Sequence, residues 1–187
     1  MPLTVPAIRR HITRLKAAYG EPIVLISLLE HKGDEAGLAS ALGAAMGALA
    51  SEPPARAKYA AIDIKALCKA GRAEGMRAAI GRLDADLAAI SHLTIRGTGG
   101  DIGGTTGGLA VARRQVGVMR INCLDCLNRT NLLMSALALR AAAVQLRELA
   151  ALAVGNVAGE HLSRASEPSL LAALQRMWGE VGDAISI

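Results

Sequence analysis

The pattern of apolar residues predicts an α/β protein with a mainly parallel sheet flanked by helices. Three observations carry this expectation. Short apolar runs rich in branched residues, Ile23 to Leu29, Tyr59 to Ile64 and Gln115 to Asn122, have the character of buried strands. Stretches of helical spacing lie before, between and after them. The resulting order, α-β-α-β-α-β-α-α, is that of helices laid on a mainly parallel sheet.

Taken in order, Pro6 to Tyr19 places Ile8, Ile12 and Leu15 on one helical face, with Gly20 as a stop. The first strand follows, then a turn at His31–Gly33. Asp34 is the expected cap of a helix reaching about Ala50, which Pro53 and Pro54 end. The second strand leads to a long helical pattern from about Ala66 to His92. Its inner face is Leu67, Met76, Ile80, Leu83, Leu87 and Ile90, and Gly71 and Gly75 weaken its first part. Arg96 to Gly108 holds seven glycines without a lysine after them or a strand–helix frame. It is expected to be a surface loop rather than a phosphate-binding fingerprint. The third strand feeds the longest helix, Thr130 to Ala153. A loop from Val154 to Ser166 precedes a last helix, Glu167 to Val181, with Pro168 in its first turn.

With 187 residues, the chain is expected to form a single domain over 1–187. Hydrophobic residues make up 52%, yet aromatics only 2%, so the core must be aliphatic and packed with small residues. A charged content of 20% argues against disorder. The net charge of +5 suits anionic partners without selecting one. Three cysteines are too few for a disulfide scaffold and fit reduced thiols facing the cytosol. Charges interrupt every apolar run short of the roughly 18 residues a membrane span needs, so the chain is expected to be soluble or peripheral. No surface combines aromatic and basic residues as single-stranded nucleic acid binding requires, so no nucleic-acid partner is expected.

The chemistry concentrates in Arg120 to Asn131, Arg-Ile-Asn-Cys-Leu-Asp-Cys-Leu-Asn-Arg-Thr-Asn. A strand leads in and a helix leads out. Free N–H groups of such a loop and of the first helical turn converge on one hollow, where the helix dipole favours negative charge. That field favours the thiolate of a cysteine at the loop's start. Separated from Cys123 by five residues, Arg129 can grip two phosphate oxygens with its planar fork. Cys123 and Cys126 form a Cys-x-x-Cys pair, which suggests a redox couple or half a zinc site. Only Cys68 and scattered histidines remain as further ligands, so no metal is expected.

This stretch resembles the signature of the Sac-domain phosphoinositide phosphatases, Arg-x-Asn-Cys-x-Asp-Cys-Leu-Asp-Arg-Thr-Asn. One fixed position departs: Asn128 stands where the signature has aspartate. Flanking pieces resemble the family as well: Gln115, Gly117 and Val118; His11, Tyr19 and Gly20; Gly33 and Glu35; Trp178, Gly182, Asp183 and Ser186; and, more weakly, Asp63, Cys68 and Lys69. Ile64 and Lys65 replace the family's Phe-His pair, and the family's Gln beyond Asn131 is missing. The resemblance implies a cysteine-phosphatase-like catalytic lobe that needs no cofactor. Family members carry an N-terminal lobe as well, so the resemblance implies a short or truncated member of a larger parent chain.

The resemblance and the spacing together assign roles. Cys123 is the nucleophile and forms a phosphocysteine. Arg129 holds the phosphoryl group, and Thr130 donates to the sulfur as it departs. Asp125 is either the general acid or a brace that accepts loop N–H groups; Asp63 and Asp101 are alternatives from outside the loop. Asn122, Leu124, Cys126, Leu127, Asn128 and Lys69 are the expected substrate-binding residues. The implied partner is a phosphoinositide lipid or soluble inositol phosphate head group, met by a cytoplasmic protein peripheral to cytosol-facing membranes. Two other readings stand beside the enzyme: a pseudophosphatase that binds head groups but lost leaving-group protonation with Asn128, and a thiol redox module built on Cys123 and Cys126.

Overall fold

The computed structural model describes residues 4–52, 57–98, 108–152, 169 and 172–184. Its elements are helix α1 (Thr4–Tyr19), strand β1 (Ile23–Ser27), a 3-10 turn (Gly33–Glu35), α2 (Ala36–Leu49) and β2 (Lys58–Ala61). They continue with α3 (Ile64–Leu67), a 3-10 turn (Cys68–Ala70), α4 (Arg72–Gly81), α5 (Asp84–Ile90), β3 (Thr94–Thr98), β4 (Gly108–Arg113), β5 (Val118–Asn122) and α6 (Asn128–Leu152). Residues 172–184 are also helical.

The fold is α/β, with a parallel sheet in the order β2-β1-β5 flanked by helices. β1 occupies the centre, which explains why all five of its residues are buried and why it reads as an unbroken apolar run. The ladder continues past its end: Leu28 N–H donates to Asn122 O at 2.8 Å on one side, and Ile62 N–H donates to Ser27 O at 2.8 Å on the other. The chain turns to opposite neighbours from β1, so the carboxyl ends of β1 and β5 form a topological switch point, where open α/β sheets place their ligands.

The chain divides into two compact units. One comprises Met1–Leu25, Gly43–Tyr59 and Asp84–Arg120. Its buried side chains include Ile12, Val24, Met46, Leu49 and Ile90. Within it Gly117 is held close to the chain before β1: its N–H donates to Tyr19 O at 2.7 Å, and Val118 N–H donates to Pro22 O at 3.0 Å. Its φ is +74°, and a Cβ there would run into the Pro22 backbone, so this position requires glycine.

The other unit comprises Ile26–Leu42, Ala60–Leu83 and Ile121–Ile187. Ile26, Leu28, Leu29, Ile62, Ile64, Leu83 and Leu133 are its innermost side chains. α4 packs on α6. A Cβ on Gly75 would lie 2.6 Å from Leu67 O, so the missing side chain lets α4 close onto the backbone of α3. Asn131 Nδ2, in the first turns of α6, donates to Trp178 O at 3.2 Å and ties the 172–184 helix to it.

Three sequence expectations change. The single helix from Ala66 to His92 is three helices and a 3-10 turn, broken at Gly71, whose φ of +155° an L-residue rarely adopts. Asp34 does not cap a helix; it lies inside the Gly33–Glu35 turn, and α2 starts at Ala36. Asp63 is the side chain that caps, accepting Ala66 N–H at 2.8 Å at the start of α3. The ends of the Arg96–Gly108 segment are not loop: they belong to β3 and β4, which pair antiparallel apart from the main sheet. Residues 99–107 and the Val154 to Ser166 loop lie outside the described residues.

Candidate active site

β5 delivers Cys123 to the switch point, and α6 begins five residues later. Cys123 is buried, 8% exposed, and three groups surround its sulfur. Cys126 N–H donates to Sγ at 2.9 Å and the Thr130 hydroxyl donates at 3.2 Å. The thiol donates in turn to Asp125 Oδ1 at 3.3 Å. Cys126 owes its inward N–H to a φ of +58°, a left-handed conformation that curls the loop into an anion-accepting concavity. Donors of this kind bond more strongly to a charged sulfur than to a neutral one.

Asp125 is committed within the loop. Its Oδ1 also accepts Leu127 N–H at 3.0 Å. That backbone bond first, and the Cys123 hydrogen bond second, hold its carboxyl below the ordinary aspartate range, so it is a carboxylate at neutral pH.

Arg129 is held by a residue 94 positions away. Its Nη1 and Nη2 donate to Glu35 Oε2 and Oε1, both at 2.8 Å, and Nη1 also donates to Leu28 O at 3.2 Å. This two-pronged grip fixes the guanidinium plane. Glu35 is itself positioned by Glu30 N–H, which donates to Oε2 at 2.8 Å. The Arg129 hydrogen bond is the main reason the Glu35 carboxyl titrates below its usual range, and the same contact pushes the Arg129 guanidinium further up.

A hollow of about 500 Å³ opens beside these groups. Glu30, Lys65, Arg72, Asp125, Asn128 and Arg129 supply its polar wall, and Ile64, Cys68 and Leu132 the rest. Lys65 Nζ pairs with Glu30 Oε1 at 2.9 Å. Arrays of this kind, with a sulfur at a loop's start, inward N–H groups and a fixed guanidinium, can bind a tetrahedral anion and attack it.

The structure gathers Cys123, Asp125 and Cys126 in the loop and Arg129 and Thr130 in the first turn of α6. Asn128 faces the hollow and Leu124 is exposed. The Asn122 side chain buries its Oδ1 without a hydrogen-bond partner among the described residues. Lys69 is exposed and does not line the hollow; its neighbours Lys65 and Arg72 do. Asp63 is occupied as a helix cap, also taking His31 N–H at 3.4 Å, and Asp101 lies outside the described residues. Cys123 and Cys126 are both free thiols.

Comparison with known proteins finds similarity to one family. A SacI homology domain model matches residues 2–69. Synaptojanin-1 of Rattus norvegicus is 31% identical over 185 residues, 97% of this chain and 10% of that protein. Phosphatidylinositol-3-phosphatase SAC1 of Drosophila melanogaster is 27% identical over 166 residues, 88% of this chain and 25% of that protein. The chain is thus similar to Sac-domain proteins. Phosphoinositide phosphatase SAC7 of Arabidopsis thaliana adds a shorter match, 33% identical over 75 residues, 40% of this chain and 12% of that protein. The chain spans about a tenth of synaptojanin-1 and about a quarter of the Drosophila relative.

The family model takes in β1 and the Glu30–Glu35 turn that holds Arg129; the Cys123 loop lies beyond its matched residues. Glu30, Glu35 and the Leu28 carbonyl are the site groups that sequence reasoning passed over. The Gly33-x-Glu35 turn was the available signal, since a glycine turn beside a strand end puts its carboxylate at the sheet's ligand-binding edge.

Proposed function

We propose that this chain hydrolyses a phosphate monoester on a phosphoinositide or inositol phosphate head group through Cys123. The observation that carries the reading is the convergence of Cys126 N–H and the Thr130 hydroxyl on the Cys123 sulfur, in a loop closed by the guanidinium that Glu35 fixes. The names of the relatives, a phosphatidylinositol-3-phosphatase and a phosphoinositide phosphatase, supply the substrate class.

The chemistry follows from the contacts. The thiol proton passes to Asp125 Oδ1, which already accepts its hydrogen bond. The sulfur attacks phosphorus, and Arg129 and the loop N–H groups take up the equatorial oxygens. Asp125 returns the proton to the departing ring oxygen, and a phosphocysteine remains. Water then displaces the sulfur, which leaves as a thiolate supported by Thr130 and Cys126 N–H.

A second reading has an observation of its own. Asp125 is held ionised by Leu127 N–H, and Asn128 faces the hollow without a proton to give. A site built this way binds phosphate monoesters and turns over alkyl esters slowly. Phosphate release from a panel of soluble phosphoinositides and from an aryl phosphate decides between them. Hydrolysis of both by wild type, lost in Cys123→Ser, supports the enzyme. Hydrolysis of the aryl ester alone supports the impaired site. Cys123→Ser activity equal to wild type would overturn both.

A further inference from the structure

In the β3–β4 hairpin Ile95, Arg96 and every residue of β4 are exposed. A two-stranded sheet without a packed face is marginal in water, so its composition indicates what covers it. The register separates its two faces. Ile95 sits opposite Val111, and Gly97 opposite Leu109, so Ile95, Leu109 and Val111 share one side. They are 51%, 80% and 44% exposed. Arg96, opposite Ala110, lies on the other side. A bulge between Thr94 and Ile95 then brings Arg113 opposite Thr94, which places it on the side of Arg96. Without the extra residue Arg113 would fall on the aliphatic side. Arg114 follows at once, and residues 93–98 and 108–116 contain no acidic side chain.

The geometry points to this hairpin as a surface that docks on an anionic lipid bilayer. The aliphatic face meets the acyl boundary, and the arginines stay among the head-group phosphates, the arrangement of an amphipathic interfacial element. The charge is what favours lipid over a second copy of this chain: the net charge is +5, so a copy brings repulsion, whereas an anionic bilayer is complementary to paired strands whose only charged side chains are arginines. Among the described strands β3 and β4 pair only with each other, and a two-stranded sheet is too small to enter the hydrocarbon core, where backbone N–H and C=O groups need partners. The contact is therefore confined to the head-group layer. The inference deepens the phosphoinositide reading and rests on it for the purpose of the contact, since a lipid substrate has to be met at its membrane.

The test uses the whole chain and vesicles free of phosphoinositide, so the Cys123 loop has no ligand in them. Co-sedimentation with phosphatidylcholine vesicles is compared with vesicles containing about one-fifth phosphatidylserine. Wild type is expected on the anionic vesicles, released by salt, and far less on the neutral ones. Arg96→Gln with Arg114→Gln is expected to weaken binding about fivefold per arginine. Leu109→Asp is expected to weaken it at least about tenfold. Turnover of a soluble head group, and far-UV dichroism, stay as in wild type for both variants. Cys123→Ser binds vesicles normally, which separates failure of this surface from failure of the catalytic reading. Equal binding to neutral and anionic vesicles, binding unaffected by either variant, or a wild-type dimer in solution that Leu109→Asp dissociates would each overturn the proposal.

Discussion

The Cys123 loop and the β3–β4 hairpin are opposite solutions to the same requirement. Both are made from a short, glycine- or polar-rich stretch joined to a strand. In the loop, the chain satisfies its own polar groups: the sulfur, the Asp125 carboxylate and the Arg129 guanidinium each have partners at hydrogen-bonding distance. In the hairpin, the backbone ladder is made but the apolar side chains face solvent. A region already complete in itself is poised to recognise a small ligand. A region left incomplete requires an extended surface to finish it.

The sharpest way to break the comparison is to disturb the loop's completeness. Arg129→Lys keeps the charge and loses the fork, so turnover is expected to fall by about 10²–10³-fold, with vanadate affinity lost and far-UV dichroism native. Glu35→Gln leaves Arg129 untouched but undoes the pairing that orients it. A misplaced guanidinium can cost up to about 10²-fold in turnover, and phosphate affinity should drop in parallel. A Glu35→Gln protein as active as wild type would show that Arg129 needs no partner.

Glu35 also gives the loop a pH signature. Its carboxyl titrates lower in the folded chain than in the unfolded one, chiefly because of Arg129. Its contribution to stability is thus fully present above the ordinary glutamate range and is lost as pH falls through the lowered folded value. The difference in Tm between wild type and Glu35→Gln should be constant near neutrality and shrink only in acid below that range. A difference that shrinks instead between pH 6 and 8 would assign it to another group.

Smaller effects sharpen the distinction within the loop. Asn128→Asp adds a potential donor facing the hollow and is expected to raise turnover of alkyl phosphates about tenfold, with aryl phosphates changed little. The smallest effect belongs to the hairpin. Leu109→Asp touches no packed group, so unfolding free energy should stay within about 0.5 kcal/mol and soluble-substrate turnover within about twofold. A large loss of either would mean that the hairpin is completed by the chain itself.

What the sequence disclosed follows the same division. β1 was legible because burial on both faces leaves a continuous apolar run, and the β5–α6 junction because the Cys-x5-Arg spacing is local. The hollow's far side was not legible. Glu35 meets Arg129 only through the order β2-β1-β5, which no local pattern encodes. Lys69 was named from the resemblance, whereas Lys65 and Arg72 line the hollow, because which side chains meet there depends on how α3 and α4 pack. The hairpin was obscured because its glycines match loop composition, whereas pairing of its flanks depends on register.

The separation of 94 positions between Glu35 and Arg129 has a kinetic consequence. An anion grip assembled from such distant positions cannot exist in a locally structured intermediate, because closing so long a stretch of chain must precede it. Phosphate-binding competence should therefore return no earlier than the last phase of refolding from urea, even where helices have already recovered their far-UV signal. A nascent chain would expose its cysteine long before it could use it, and the nucleophile would come under control only when the first strand and the last long helix had met.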